Sequence, residues 1–443
     1  MQTIQGLQAG QYKGATKIKI SSNLTSFPQE ILSLYDTLEI LDLSNNPLLS
    51  SLPSEIHRLH KLKVAFFSDC NFTTFPKELA KCRSLEMIAF KNNGMITIPE
   101  GAFPRKLRWL ILTNNRIEHI PKSIGHCHRL QKCMLAGNRL TTLPEEMAHC
   151  RKLGLLRLSV NSISVLPEWL FQLPELSFLS FSGNPCTPQV DSDAVLEDVP
   201  WQDLQVHELL GEGASGIISK GTWTKSGIPK EVAIKLFKGA VTSDGSPTDE
   251  MAACILAGQH PHLISPLGKI HSHPEDKSGL VLELIPPHYT NLGLPPTLDS
   301  CTRDAFPTST VFSLEKCKKI ITGIASVSSH LHSKGIVHGD LYAHNILIND
   351  HGHALLGDFG AASVYGTHHA YAEYIEKMEV LAFGHLVEDL LGLVERKVTA
   401  GEDVWDEKEG GEVEMLNALH YLCVNPVVQQ RPTFGEVLEA LGA

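Results

Sequence analysis

Residues 336–350 read IVHGDLYAHNILIND and place Asp340 five residues before Asn345. A strand-like apolar run (Ile346, Leu347, Ile348) follows, and then Leu356-Gly357-Asp358-Phe359-Gly360. These three polar groups, on two adjacent hairpin arms, suit the handling of a nucleotide phosphate and its metal. Asp340 can orient a hydroxyl and accept its proton, and Asn345 and Asp358 carry the hard oxygens that Mg²⁺ prefers. Upstream, LLGEGASGIISKGTW sets Gly211, Gly213 and Gly216 between apolar flanks (Leu209, Leu210, Ile217, Ile218). That pattern suggests two antiparallel strands around a loop whose N–H groups can close over phosphates with no Cβ in the way. About twenty residues later Val232-Ala233-Ile234-Lys235 puts a lysine in an apolar strand. An ammonium there is costly unless it meets a phosphate or a carboxylate.

The elements that must position these groups are legible around them. Residues 280–287, LVLELIPP, read as a buried strand ending in a hinge. Residues 313–336, SLEKCKKIITGIASVSSHLHSKGI, have helical periodicity and deliver the chain to the Asp340 loop. In this order, and with CVNPVVQQRPTFGEVLEAL near the end, the motifs resemble the protein-kinase superfamily over about 240 residues.

The resemblance implies a bilobal α+β domain that uses ATP and Mg²⁺. Lys235 would position the phosphates, held by a helical glutamate. Glu250, about ten residues before His260-Pro261, fits that place, with Asp249 as its rival. Gly211, Gly213, Gly216, Ile218, Ala233, Lys235, Leu282, Glu283 and Ile285 would surround the nucleotide, Leu282 beside the adenine and the backbone of 283–285 bonding the base. Asp340 would be the base, and Asn345 and Asp358 the metal ligands.

Departures from the family pattern bear on regulation and substrate. His338-Gly339-Asp340 replaces His-Arg-Asp, which removes the arginine that would meet a phosphorylated activation loop. Tyr342 and His344 stand where a basic residue is usual, which weakens a choice between Ser/Thr and Tyr substrates. The segment after Asp358 is short, and Tyr371-Ala372-Glu373 stands for Ala-Pro-Glu, with Glu373 expected to face Arg431. Glu379 occupies the place of an aspartate. His-Gly-Asp also occurs in small-molecule kinases of the aminoglycoside and choline type. The readings are therefore a protein kinase, Ser/Thr in first place, a small-molecule phosphotransferase, and a nucleotide-binding pseudokinase scaffold.

The N-terminal part repeats with a period of about 23 residues, from LEILDLSNNPL at Leu38 to LSFLSFSGNPC at Leu176. The pattern resembles leucine-rich repeats and implies an α/β solenoid, or horseshoe, of about eight repeats. Its Asn column (Asn23, Asn46, Asn93, Asn115, Asn138, Asn161, Asn184, with Cys70 once) is expected to bond the turning backbone of neighbouring coils. Proline opens each return segment. Cys82, Cys127 and Cys150 recur three residues before a repeat leucine, which marks them as buried packing residues. Between the leucines, Phe66, Met87, Trp109, Ile111, Met134, Leu155 and Phe178 are expected on the concave face, an apolar stripe suited to a protein partner.

The expected organisation is a tail at 1–14, repeats at 15–186, a linker at 187–202 and the kinase-like domain at 203–443. The net charge of −11 is uneven. Residues 1–190 carry 21 Lys and Arg against 14 Asp and Glu, and the remainder 17 against 35. The basic excess is modest and scattered, which argues against nucleic acid. No apolar run approaches the roughly 20 residues that span a bilayer, and no secretory leader is evident, so the cytoplasm is the expected compartment.

Overall fold

The computed structural model describes all residues except Met1, 189–195, 214, 239–240, 243, 396, 400–401 and 405–406. The chain forms two compact units. One comprises residues 1–176 with 183–186, the other residues 177–182 with 187–443.

In the first unit, helix α1 (Ile4–Gln8), capped by the Thr3 side chain, precedes seven short strands: β1 (Lys17–Lys19), β2 (Ile40–Asp42), β3 (Val64–Phe66), β4 (Met87–Ala89), β5 (Trp109–Ile111), β6 (Lys132–Met134) and β7 (Leu155–Arg157). Each pairs with the next in parallel, at equivalent repeat positions. The middle residue of a strand turns inward: Ile18, Leu41, Ala65, Ile88, Leu110 and Leu156 are fully buried. Return segments are mostly 3-10 turns opened by a proline near φ −70, whose carbonyl accepts the first turn bond, as from Ile31 N–H to Pro28 at 3.1 Å. Proline loses nothing there, because its missing N–H would have had no partner in the turn.

The asparagine column forms the expected ladder. Asn115 donates to Phe90 O at 2.8 Å and Leu112 O at 2.9 Å, and its Oδ1 accepts from Asn93 and Met95 N–H. Asn46, Asn93, Asn138, Asn161 and Asn184 bond the backbone in the same way. The Cys70 thiol replaces one rung, donating to Leu43 O at 3.3 Å. Asn23 is the exception: it lies exposed at φ 54 and forms no rung. Cys82, Cys127 and Cys150 are buried free thiols, and burial pushes their pKa up to about 12.

The concave stripe is only partly available. Phe66, Met87, Trp109, Ile111 and Met134 are half-buried, and Lys132 Nζ lies 4.5 Å from the Trp109 ring centre. Leu155 is 4 % exposed, so it has almost no surface left to bury against a partner. Phe178 lies in β8 (Phe178–Ser180), part of the second unit, where it stacks flat on Tyr342 at 3.9 Å and is buried. The basic residues are less scattered than the sequence implies: Lys81, Arg83, Arg105 and Lys106 border one cavity of about 880 Å³ with His57 and His60.

The second unit opens with a six-stranded sheet built from β9 (Glu197–Pro200), β10 (Leu204–Glu212), β11 (Gly216–Lys225), β12 (Ile228–Phe237), β13 (Pro266–His271) and β14 (Gly279–Glu283), in the order β10-β11-β12-β14-β13-β9. Val199, Trp223, Val232, Ile234, Ile270 and Val281 form its core. Residues 197–200, expected within a linker, are instead an edge strand parallel to β13. Gly268 admits them, since a Cβ there would stand 2.4 Å from the Val199 side chain. Residues 189–195 of that expected linker lie outside the described residues.

Helix α2 (Pro247–Ala257) lies between β12 and β13 in the chain; Ser246 caps it and Pro247 occupies its first turn. The helical part contains α3 (Leu314–Ser333), α4 (Ala372–Gly392), α5 (Glu407–Cys423) and α6 (Phe434–Leu441), the last opened by a Thr433/Glu436 capping box. Among them run β15 (Thr290–Asn291), β16 (Ile336–Val337), β17 (Ile346–Ile348), β18 (Ala354–Leu356) and β19 (Ser363–Val364). Strands β17 and β18 form the hairpin that carries Asn345 and Asp358 at its ends, and β16 pairs with β19.

Candidate active site

A cleft of about 380 Å³ opens in the second unit. Gly213, Gly216, Ile218, Ala233, Lys235, Glu250, Leu282, Glu283, Ile285 and Asp358 all border it. The glycine-rich loop closes with Gly213 N–H donating to Gly216 O at 2.9 Å. Gly216 has no room for a side chain, because a Cβ would lie 2.6 Å from Leu236 O. Gly211 pairs with Ile218 within β10–β11 and does not line the cleft.

Lys235 is 7 % exposed and Glu250 3 %, and the ammonium donates to the carboxylate. Burial works against the Lys235 charge, but the carboxylates of Glu250 and Asp358 outweigh it and hold its pKa above the ordinary lysine value. Asp249, the rival on the same helix, instead accepts a bond from its own cap, Ser246, at 2.6 Å. Cys254 and Ile264 line the cleft without having been read from the sequence. Cys254 falls one helical turn after Glu250 on the same face, which was a usable signal.

Asp340 sits in a turn rigidified from all sides. Asn345 Nδ2 donates to its Oδ2 at 2.7 Å and to its carbonyl at 2.9 Å. His338 is buried and braces the turn: Nε2 meets Gly357 O at 2.9 Å, and Nδ1 accepts Asp340 N–H at 3.3 Å. Gly339 has φ 72, and a Cβ would lie 2.8 Å from Ala361 O. A side chain at this position would require the turn to shift. Ala343 N–H donates to Asp304 Oδ1 at 2.7 Å. Burial, reinforced by Asp389 and Asp340, pushes the Asp304 carboxyl up to about 7 against the Ala343 bond and Arg303.

With Asn345 Nδ2 committed to Asp340, its Oδ1 is left as an acceptor. Asp358 has φ 55, and its Oδ1 takes Gly360 N–H at 3.2 Å while the carboxylate stays exposed. Two hard oxygens on adjacent hairpin ends fit a divalent cation.

Glu379 on α4 accepts Gly339 N–H at 2.6 Å, His338 N–H at 3.2 Å, and His332 Nε2 at 2.8 Å. Burial opposes its ionisation, yet His332, His338 and the Gly339 amide hold its carboxyl below the ordinary glutamate value. The expected pairing of Glu373 with Arg431 is not what forms. Glu373 is largely exposed and meets Lys377 one helical turn on, while buried Arg431 donates to Lys377 O and Asn425 O. An i,i+4 lysine is nearer than any group buried behind the helix.

Residues 204–406 match the family model of protein tyrosine and serine/threonine kinases, and residues 37–59, 105–163 and 128–185 match models of leucine-rich repeats. The chain is 29% identical over 160 residues to a probable cyclin-dependent kinase 10 of Dictyostelium discoideum, covering 35% of this chain and 40% of that protein. It is 30% identical over 175 residues to human kinase suppressor of Ras 2, covering 38% and 16%. It is 26% identical over 289 residues to a putative L-type lectin-domain containing receptor kinase V.8 of Arabidopsis thaliana, covering 54% and 44%. The matches thus span less than half the length of each of these relatives. Among the described residues no helix is long and apolar enough to cross a membrane. The chain joins N-terminal leucine-rich repeats to a domain of the protein tyrosine and serine/threonine kinase family.

Proposed function

We propose that the chain is an ATP-dependent protein kinase, acting on Ser or Thr of a protein that the repeats recruit, in the cytoplasm. The observation that carries this reading is the buried Lys235–Glu250 pair bordering one cleft with Asp358, beside an Asp340 held by Asn345. Lys235 would fix the nucleotide phosphates, and Glu250 would fix Lys235. The edge of β14 at 282–285 would receive the adenine. Asn345 and Asp358 would hold Mg²⁺, which supplies charge neutralisation between the phosphates. Asp340 would orient the acceptor hydroxyl and take its proton as the oxygen attacks the γ-phosphorus, the bond from that phosphorus to the β,γ-bridging oxygen breaks and ADP leaves. Such catalysis is mostly positioning and electrostatics.

Repeats at 15–186 would form the recruiting array and residues 203–443 the catalytic domain. Phe66, Met87, Ile111 and Met134, with the edge of Trp109, are the concave residues left to meet a partner. Ten free cysteines suit a reducing compartment. The test is transfer of labelled phosphate from ATP to a peptide library, with aminoglycosides and choline alongside. Transfer only to the small molecules would replace the protein-kinase reading. A protein that binds ATP but transfers nothing would make it a scaffold.

A further inference from the structure

Residues 177–182 lie within the second unit, and none of them borders the cleft. All six are buried. The Phe181 and Ser182 N–H groups both donate to Ser363 Oγ, at 2.8 and 3.1 Å. Ser363 is itself fully buried on β19, where it pairs with Val337 of β16, the residue just before His338-Gly339-Asp340. The Leu179 carbonyl lies against Gly339, since a Cβ there would stand 2.7 Å from its oxygen. The Phe178 ring stacks on Tyr342, two residues after Asp340, with centroids 3.9 Å apart and planes 11° from parallel. Ser180 Oγ donates to Asp244 O at 3.2 Å, in the loop that leads into α2 and Glu250.

These contacts have the chemistry of a fixed brace. Two buried N–H groups need acceptors, and one serine hydroxyl has two lone pairs to offer them. The near-parallel rings add attraction beyond their burial. The contacts fall on both sides of Asp340, at Gly339 and Tyr342, and on the strand pair that delivers it. Gly339 stands where the family pattern has the arginine that meets a phosphorylated activation loop. Here the Leu179 carbonyl fills the space that a side chain would need. Lys235 and Glu250 are paired at the same time, so the seated segment coexists with an assembled cleft.

We propose that residues 177–182 are a built-in brace that holds the Asp340 turn in place of a phosphorylated activation segment, with Phe178 and Ser363 as positioning residues. The effect on rate rests on the kinase reading above; the effect on the backbone does not. In the full chain, Phe178→Ala removes the stack, and Ser363→Ala leaves the Phe181 and Ser182 amides without their acceptor. In each folded variant, hydrogen exchange at the Gly339, Asp340 and Tyr342 amides should quicken about tenfold, with α6 unchanged. With ATP, Mg²⁺ and the peptide labelled fastest in a library, kcat should fall about tenfold or more. The KM for ATP should stay within about threefold, because the cleft is untouched while the reacting group is displaced. If Phe178→Ala does not fold, Phe178→Leu carries the test, since it keeps apolar bulk without the flat ring; both effects should then be severalfold. Wild-type exchange at these amides in the folded variants overturns the proposal. A rise in kcat also overturns it and makes the segment a plug. Faster exchange in a protein whose wild type transfers no phosphate keeps the brace and removes the kinase reading instead.

Discussion

Asn345 donates its side-chain amide to the Asp340 carboxylate at 2.7 Å, so two residues five apart in sequence act as one rigid pair. The bond takes the amide nitrogen out of play and leaves the amide oxygen for a cation. It also fixes the orientation of the Asp340 carboxylate.

That division of labour predicts different losses from two similar substitutions. Asp340→Asn should lower phosphate transfer by 100-fold or more, on the order expected for removing a general base. Stabilisation by ATP and Mg²⁺ in a thermal-shift assay should stay near that of wild type. Asp358→Asn should weaken that stabilisation itself. Equal loss of nucleotide binding in both variants would contradict the assignment.

The asparagine ladder predicts a stability loss far from the cleft. Asn115→Ala strips partners from the Phe90 and Leu112 carbonyls and from the Asn93 and Met95 amides, all in buried surroundings. Chemical denaturation of the repeats should show a cost on the order of 3 kcal/mol. A change below about 0.5 kcal/mol would mean that water replaces the amide.

Asp304 predicts a dependence on pH. Its carboxyl titrates near 7 when folded and near the ordinary 3.8 when unfolded. The folded protein therefore holds the extra proton between those values, and this contribution to stability is fully present below about pH 4 and lost as pH rises through 7. Asp304→Asn keeps an acceptor for the Ala343 amide without the charge. Relative to the variant, wild type should lose about 2–3 kcal/mol between pH 5 and 8, read from denaturation midpoints. Parallel curves across that range would refute the shift.

Gly339 and the burial of the segment after Asp358 bear on activation. Ser363 is fully buried, its Oγ accepting Phe181 N–H at 2.8 Å within the second unit, and Tyr365 is 4 % exposed. With no arginine beside Asp340 to read a phosphate, phosphatase treatment should leave the rate within about twofold of the untreated enzyme. A large loss of rate that mass spectrometry traces to Ser363, Tyr365 or Thr367 would contradict this.

Much of this was legible in the sequence because it is local or periodic. The Asn and Pro columns recur at one spacing, and Gly213, Lys235, Asp340, Asn345 and Asp358 sit in short motifs whose chemistry is explicit. What covers an outward-facing strand residue is not local. Leu155 and Phe178 open their strands as Met87 and Trp109 open theirs, yet are buried, and nothing beside them in the chain says so. His332 and Glu379 lie 47 residues apart on different helices, so no periodicity links them. Glu373 meets Lys377, one helical turn away, and not the sequence-distant Arg431.

The most direct test is transfer of the labelled γ-phosphate of ATP, with Mg²⁺ present, to a peptide library by wild type and by Asp340→Asn. The account predicts label on Ser or Thr peptides with wild type, and at least a 100-fold loss with Asp340→Asn in a protein that still binds ATP. Label appearing only on aminoglycosides or choline, or undiminished transfer by Asp340→Asn, would contradict it.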